Sequence, residues 1–100
     1  MLAVVTGASS GTGYELAKVL ADNAFDLVVV AEDERIDDAA ALLRLRSGGV
    51  RVEPVRADLR GYDGVESLVS RVRALGRPVD VLAVKARTMQ TMTEPGSAAE

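Results

Sequence analysis

The stretch Thr6-Gly7-Ala8-Ser9-Ser10-Gly11-Thr12-Gly13 decides the fold of this chain. It follows a short apolar run, Leu2 to Val5, and precedes a stretch with helical periodicity. Its glycines allow a tight turn, positive φ angles and a close approach of main-chain N–H groups to a ligand. The N-terminus of the following helix would point its unpaired N–H groups and partial positive charge at the same place. The segment predicts either a diphosphate site or a tight turn that binds nothing.

A second apolar run, Leu27 to Ala31, shows that the turn belongs to a strand–helix–strand unit of roughly thirty residues. The run does not alternate with polar residues, which is typical of a central parallel strand covered on both faces. Between the two runs, a helix is expected from Thr12 or Gly13 to about Asn23. Four of its residues recur at three- and four-residue spacing and would lie on the sheet: Leu16, Ala17, Leu20 and Ala21.

Several segments resemble the short-chain dehydrogenase/reductase family. After the strand Leu2 to Val5, TGASSGTG at 6–13 is similar to the family's motif Thr-Gly-x-x-x-Gly-x-Gly, and YELAKVLA follows at 14–21. The resemblance continues through VRADL at 55–59 and RPVDVLAV at 77–84. It implies an NAD(P)-dependent oxidoreductase that moves a hydride between the nicotinamide of its cofactor and an alcohol or carbonyl.

The rest of the chain continues the alternation of strand and helix. We expect a helix from Arg35 to Arg46, an edge strand containing Pro54, a helix opened by a capping pair, Asp63 with Glu66, and a strand from Val79 to Val84. The apolar stripe of the third helix comprises Val65, Leu68, Val69, Val72 and Leu75.

This alternation predicts an α/β fold: a three-layer, Rossmann-like parallel sheet with strand order 3-2-1-4, truncated after the fourth strand. Residues 1–85 would form this NAD(P)-binding half domain. Residues 86–100 lack apolar periodicity and are rich in small and polar residues, so a disordered tail is expected there.

The resemblance implies a set of cofactor-binding residues. Those of the turn would hold the phosphates: Gly7, Ser9, Ser10, Gly11, Thr12 and Gly13. Asp58 resembles the family's aspartate that hydrogen-bonds the adenine amino group, with Leu59 against the ring. The alternative is that Asp58 only caps its own loop.

The choice between the two nicotinamide cofactors depends on Glu32. By the resemblance, Glu32 stands where NADP-binding members often carry arginine, so a 2′-phosphate would be repelled and NAD is favoured over NADP. Arg35 is close enough to oppose this preference. The alternative is that Glu32 is a solvated charge at the start of a helix.

No residue of the chain matches the family's catalytic serine, its tyrosine–lysine pair or its later asparagine. Tyr14 and Lys18 have the spacing of the pair, but they directly follow the phosphate turn, whereas the family's pair lies on a much later helix. The family's Asn-Asn-Ala-Gly after strand four is replaced by the segment 84–87, VKAR. We therefore expect one of three products: part of an oxidoreductase completed by another chain, a non-catalytic dinucleotide- or ADP-binding module, or a vestigial protein that binds nothing.

Composition limits the other classes of function. The chain has no cysteine and no histidine, so we expect no disulfide, no metal site of the usual kind and a cytoplasmic location. A net charge of −3 gives no basic excess for nucleic acid, and the apolar runs are too short to span a bilayer. Strand four would leave an open sheet edge, where self-association of the chain is expected.

Overall fold

The computed structural model describes residues 1–84. The tail predicted for 86–100 lies outside the described residues. Four strands alternate with three helices in the order β1 (Leu2–Thr6), α1 (Gly11–Asp22), β2 (Asp26–Ala31), α2 (Arg35–Arg46), β3 (Val52–Arg56), α3 (Tyr62–Leu75) and β4 (Val81–Ala83). All pairings are parallel and the sheet order is β3-β2-β1-β4, which confirms the predicted topology.

The sheet separates two apolar cores, so the fold has three layers. Alternate residues of a strand face opposite sides of a sheet. On one side, Val5 and Val29 pack with buried residues of α1 and α2, including Ala17 and Ile36. On the other side, Val4, Val28, Val30 and Val55 pack with residues of α3, namely Leu68, Val72 and Leu75. The central strands β1 and β2 are buried on both faces, as their continuous apolar sequence predicts.

Helix α1 lies on the sheet through small residues. Ala17 and Ala21 are buried, whereas Leu16 is 39% exposed, so the prediction that Leu16 faces the sheet was wrong. Alanine at the contact brings the helix close to the strands, and the larger Leu16 then extends along the flank. The helix ends with Asn23 as its C-cap, and the next residue, Ala24, takes a left-handed conformation with φ 67°. A side chain at such an angle is strained, because its Cβ approaches the backbone carbonyl.

Helix α3 differs from its prediction at its start and along its stripe. Gly61, in an extended conformation, is the N-cap and makes no side-chain cap bond, so the predicted capping pair of Asp63 and Glu66 does not form. The helix does end at Gly76, which has φ 65°. Only part of the predicted stripe packs on the sheet, and Val65 and Val69 are exposed.

Acidic side chains hold the amino-terminal ends of the strands together. The Asp26 carboxylate accepts hydrogen bonds from the backbone N–H of Arg51 at 2.8 Å and from the guanidinium of Arg77 at 2.6 Å. Asp80 accepts a hydrogen bond from the N–H of Leu2 at 2.8 Å and donates its own N–H to the Leu2 carbonyl. These contacts anchor the loop before β4 although β4 itself is shorter than the predicted strand from Val79 to Val84.

The two edges of the sheet are unlike. At the β3 edge, Arg44 of α2 donates two hydrogen bonds to the Val52 carbonyl, at 3.1 and 2.6 Å, and Pro54 offers no N–H. Within residues 1–84, β4 pairs on one side only, with β1. Leu82 of β4 is 64% exposed.

Candidate functional site

The turn between β1 and α1 lies at the carboxyl ends of the strands, where folds of this topology bind ligands. Gly7 and Gly11 have φ angles of 64° and 63°, which side chains other than glycine rarely adopt. The N–H of Ala8 donates to the Val30 carbonyl at 3.1 Å, and Ala8 is fully buried. The turn is therefore fixed to β2, while Ser10, Gly11 and the following residue remain exposed above it.

Gly13 allows α1 to begin directly against the turn. A Cβ at this position would lie 2.7 Å from the Gly7 carbonyl carbon and nearer still to its oxygen, and it would lie 3.1 Å from the Thr6 oxygen. No real Cβ makes contacts this close to backbone. Glycine is thus required here for packing, and the packing in turn brings the helix N-terminus close to the turn.

Within residues 1–84, no side chain caps the N-terminus of α1. Ser10 is the N-cap but makes no side-chain cap bond, and the first turn of α1 contains no acidic residue. Helices α2 and α3 differ, since their first turns carry Asp37 and Asp38, and Asp63, respectively. Acidic side chains at a helix start complement its partial positive charge. At α1 that charge and the first free N–H groups face the turn without such a group.

Asp33 is the carboxylate that approaches the turn. Its Oδ2 accepts a 3.1 Å hydrogen bond from the Ser9 hydroxyl, and its Oδ1 accepts the backbone N–H of Arg35 at 3.0 Å. The family resemblance implies Glu32, the preceding residue, as the carboxylate near the ribose. Strand alternation is the signal that could have found Asp33, because position 33 continues the side of Val29 and Ala31, which face α1.

Glu32 lies on the opposite side, near Asp58. Arg60 joins the two carboxylates: its Nη2 lies 3.4 Å from Glu32 Oε1 and its Nε lies 3.0 Å from Asp58 Oδ1. The Asp58 carboxylate also accepts the backbone N–H of Arg60 at 3.0 Å, and the Glu32 carbonyl accepts a bond from Arg56. Sequence reasoning missed Arg60. Leu59, half-buried, packs against the core under α3.

The carboxyl groups of Asp33 and Asp58 stay ionised to lower pH than usual. The pKa of Asp33 is lowered, mainly by the hydrogen bond from the Arg35 side chain and further by Ser9. The pKa of Asp58 is lowered by the side-chain and backbone hydrogen bonds of Arg60. At neutral pH both groups are therefore hydrogen-bond acceptors, as recognition of ribose hydroxyls and of an adenine amino group requires.

Tyr14 and Lys18 lie on α1, and Tyr14, the fourth residue of that helix, shares a groove with Ser9 of the turn. The Lys18 ammonium lies 5.5 Å from the centre of the Tyr14 ring and pairs with Glu15 at 3.0 Å. Tyr14 lines a shallow groove of about 250 Å³ between α1 and α2, together with Arg35 and Leu42. The ammonium thus lies over the face of the Tyr14 ring.

Comparison with known proteins relates this arrangement to one family. The family model for short chain dehydrogenases matches residues 1–98. The chain is 39% identical over 85 residues to cis-4-hydroxycyclohexanecarboxylate dehydrogenase of Sinomonas cyclohexanicum, a match that covers 85% of this chain and 33% of that protein. It is 34% identical over 99 residues to protochlorophyllide reductase B of Hordeum vulgare, covering 98% of this chain and 25% of the reductase.

Solved structures agree with the fold. L-sorbose reductase from Gluconobacter frateurii, complexed with NADPH and L-sorbose, has a TM-score of 0.76 at 36% identity, over 81% of this chain and 31% of the reductase. A short-chain dehydrogenase from Sphingobium yanoikuyae in complex with NADPH has a TM-score of 0.66 at 42% identity, over 72% of this chain and 28% of that dehydrogenase. The chain spans about a third or less of the length of these relatives. Within residues 1–84, no helix has the length and apolar character to cross a membrane.

Proposed function

Because the chain belongs to the short chain dehydrogenase family, we propose that residues 1–84 bind the adenosine diphosphate part of a nicotinamide dinucleotide. The observation that carries the proposal is the start of α1, where a glycine turn meets a helix N-terminus that has no acidic residue in its first turn. The fit is close in shape as well, since a side chain at position 13 would collide with the turn that forms the cradle.

The proposed binding residues act on different parts of the ligand. Backbone N–H groups at Ser10, Gly11 and Thr12 hold the diphosphate. The Asp33 carboxylate, next to the turn, accepts hydrogen bonds from the ribose hydroxyls. The Asp58 carboxylate accepts a hydrogen bond from the adenine amino group, and Leu59 lies against the adenine ring. Glu32 acts indirectly, since its carboxylate holds the guanidinium of Arg60.

The activity of the whole system is proposed from the family. When bound, the nicotinamide supplies a hydride donor or acceptor for an alcohol or carbonyl group. Residues 1–84 contribute cofactor binding to this reaction, and hydride transfer depends on groups outside them. The chain is then either the dinucleotide-binding part of an oxidoreductase or a binding module without turnover of its own.

We favour NAD over NADP as the ligand. Each arginine near the end of β2 already has an acceptor: Arg35 bonds Asp33, Arg60 bonds Asp58 and Glu32, and Arg56 bonds the Glu32 carbonyl. A 2′-phosphate would have to displace these acceptors and would face several carboxylates. The two solved structures named above contain NADPH, so direct competition between the two cofactors is the informative measurement.

Isothermal titration of the purified chain with NAD, NADP and ADP tests the proposal. We expect NAD and ADP to bind with similar affinity and NADP to bind more weakly. Absence of binding by all three ligands would refute the proposed function and favour a vestigial product. Tighter binding of NADP would refute the cofactor preference alone.

We also propose that two copies of the chain associate through β4. Arg71 of α3 pairs with Glu53 of β3, so the flank of α3 that carries Arg71 faces β3. Val65 and Val69 are exposed on the opposite flank of the helix, which therefore faces the β4 edge. With a two-fold axis perpendicular to the sheet, the two β4 strands run antiparallel, which sets their α3 helices antiparallel. Glu66 of one copy would then face Arg73 of the other; both are exposed, without an ion pair inside residues 1–84.

The remaining expectations about the chain's surroundings stay predictions. A cytoplasmic location follows from the cysteine-free composition and is tested by cell fractionation. The expected absence of nucleic-acid and membrane partners is tested by filter binding and vesicle sedimentation.

A further inference from the structure

Gly64, the third residue of α3, touches the backbone of Asp58. A Cβ on Gly64 would lie 2.6 Å from the Asp58 carbonyl carbon, nearer still to its oxygen, and 3.0 Å from its nitrogen. The obstacle is main chain on all three counts, so no side-chain movement relieves it. The φ angle of Gly64 is not in the left-handed region, and the need for glycine therefore comes from space alone.

The same construction occurs at the start of α1. Gly13 is the third residue of α1, and it touches the carbonyl of Gly7, six residues before it. Gly64 is the third residue of α3 and touches the carbonyl of Asp58, again six residues before it. Both helices follow an extended N-cap, Ser10 in one and Gly61 in the other. The loop after β3 is thus built like the glycine turn after β1, although the two loops share little sequence.

The contact fixes the residue that the proposed function assigns to adenine. Asp58 is exposed, and its carboxylate is oriented by the backbone N–H and the guanidinium of Arg60. Those bonds orient the side chain relative to its own loop. The contact with Gly64 fixes the loop relative to α3 and the sheet, because the first turn of the helix lies directly against the Asp58 carbonyl.

We propose that Gly64 is a positioning residue for the adenine site: its missing side chain lets α3 hold Asp58 at the carboxyl edge of the sheet. A methyl group at position 64 displaces the Asp58 backbone and moves its carboxylate away from the adenine amino group. The diphosphate site at α1 lies on another loop and is unchanged. This inference rests on the proposed binding of adenosine diphosphate.

The test compares Gly64→Ala with Gly61→Ala. Gly61 lies in the same loop, but its Cβ would be 4.0 Å from the same Asp58 oxygen and its φ is −106°, which any residue adopts. ADP and inorganic pyrophosphate are titrated into each variant and followed by amide chemical shifts. We expect Gly64→Ala to weaken ADP binding about tenfold, the loss of one hydrogen bond to a charged group. The affinity of Gly64→Ala for pyrophosphate should equal that of the unmodified chain. Gly61→Ala should bind both ADP and pyrophosphate with unchanged affinity.

A double variant separates positioning from general damage to the fold. If Gly64 acts through Asp58, then Gly64→Ala adds little to the loss of ADP affinity in an Asp58→Ala background. Equal loss of ADP and pyrophosphate binding in Gly64→Ala, or unchanged ADP binding, would refute the inference. Failure of the unmodified chain to bind ADP would instead refute the proposed function.

Discussion

The hydroxyl of Ser9 donates a 3.1 Å hydrogen bond to the carboxylate of Asp33, and this bond joins the turn after β1 to the loop after β2. The two segments that would enclose an adenosine ribose are therefore held together before any ligand binds. Pre-organisation of this kind reduces the ordering that binding requires.

Replacement of Asp33 should weaken NAD more than NADP. Asp33→Ala removes the carboxylate nearest the turn, so we expect about a tenfold loss of NAD affinity, equivalent to one charged hydrogen bond. NADP should lose less, because a repulsive charge is removed together with the acceptor. Competition titrations measure the ratio. Glu34→Ala is the control, since the exposed Glu34 side chain has no hydrogen-bond partner within residues 1–84, and an equal effect of both variants would contradict the assignment.

Gly13→Ala should damage both binding and stability. Its methyl group would enter the space of the Gly7 carbonyl, and overpacking of this kind destabilises by about 1–3 kcal/mol. We expect a lower thermal midpoint and loss of ADP binding. Gly48→Ala is the matched control, because a Cβ there meets no atom within 4 Å. A Gly13→Ala variant as stable as the unmodified chain would show that α1 can move away from the turn.

Ala24→Gly should stabilise the fold. Ala24 has φ 67°, a left-handed conformation that strains alanine but not glycine. Glycine also has the greater entropy in the unfolded chain, so the net gain in the free energy of unfolding is about 0.5–1 kcal/mol. Chemical denaturation measures the change. Ala41→Gly, at an exposed position inside α2, should have the opposite sign and destabilise by about 1 kcal/mol. Destabilisation by both glycines would mean that strain at Ala24 is negligible.

Asp26 should make stability depend on pH in the acid range. Its pKa lies below the ordinary value of 3.8, because the Arg51 N–H and then the Arg77 guanidinium donate to its carboxylate. A carboxylate with a lowered pKa stabilises the fold fully above the unfolded-state value, and this contribution is lost as the pH falls through the folded-state value. Asp26→Asn should therefore unfold at lower temperature than the unmodified chain at pH 7, and the difference should shrink below pH 4.

The control for this pH dependence is Glu34→Gln, which should shift the midpoint little at either pH because Glu34 has no ion pair within the described residues. A constant difference between Asp26→Asn and the unmodified chain from pH 7 to pH 3 would contradict the role given to the carboxylate.

Leu82→Lys should prevent association of the chain. A charge at the centre of β4 would face its own copy across the two-fold axis, and charged residues on edge strands oppose strand pairing. Analytical ultracentrifugation should show a dimer for the unmodified chain and a monomer for the variant. Leu45→Lys changes a leucine that is 83% exposed on α2, away from β4, and should leave the dimer intact. A monomeric unmodified chain at high concentration would refute the proposed association.

The sequence predicts best those elements in which the apolar periodicity stops where residues that end a helix or strand begin. Helix α2 begins and ends at the predicted residues, because Ile36, Ala40 and Leu43 form one narrow stripe and glycines follow the helix. The parallel sheet follows from the alternation of strands and helices, and its order is the one that the family resemblance implies, with Pro54 favouring an edge position for β3.

The predictions for Leu16 and for the start of α3 were wrong for the same reason: both depend on the distance between two elements of the fold. The exposure of Leu16 depends on how near alanines bring α1 to the sheet, and the start of α3 depends on contact between Gly64 and Asp58. Neither distance is encoded in the periodicity of a single segment. The carboxylate at the ribose stays a prediction: the resemblance implies Glu32, whereas strand alternation from Ala31 favours Asp33.

The Arg44 side chain on the Val52 carbonyl limits how far the sheet can grow. With that carbonyl occupied and Pro54 beside it, the β3 edge offers a poor template for another strand, whereas the β4 edge is open within residues 1–84. Pairing through one edge alone closes after two copies, because each dimer then presents only capped edges. In the proposed dimer, Arg44 would therefore limit assembly to two copies and would oppose growth into open-ended filaments.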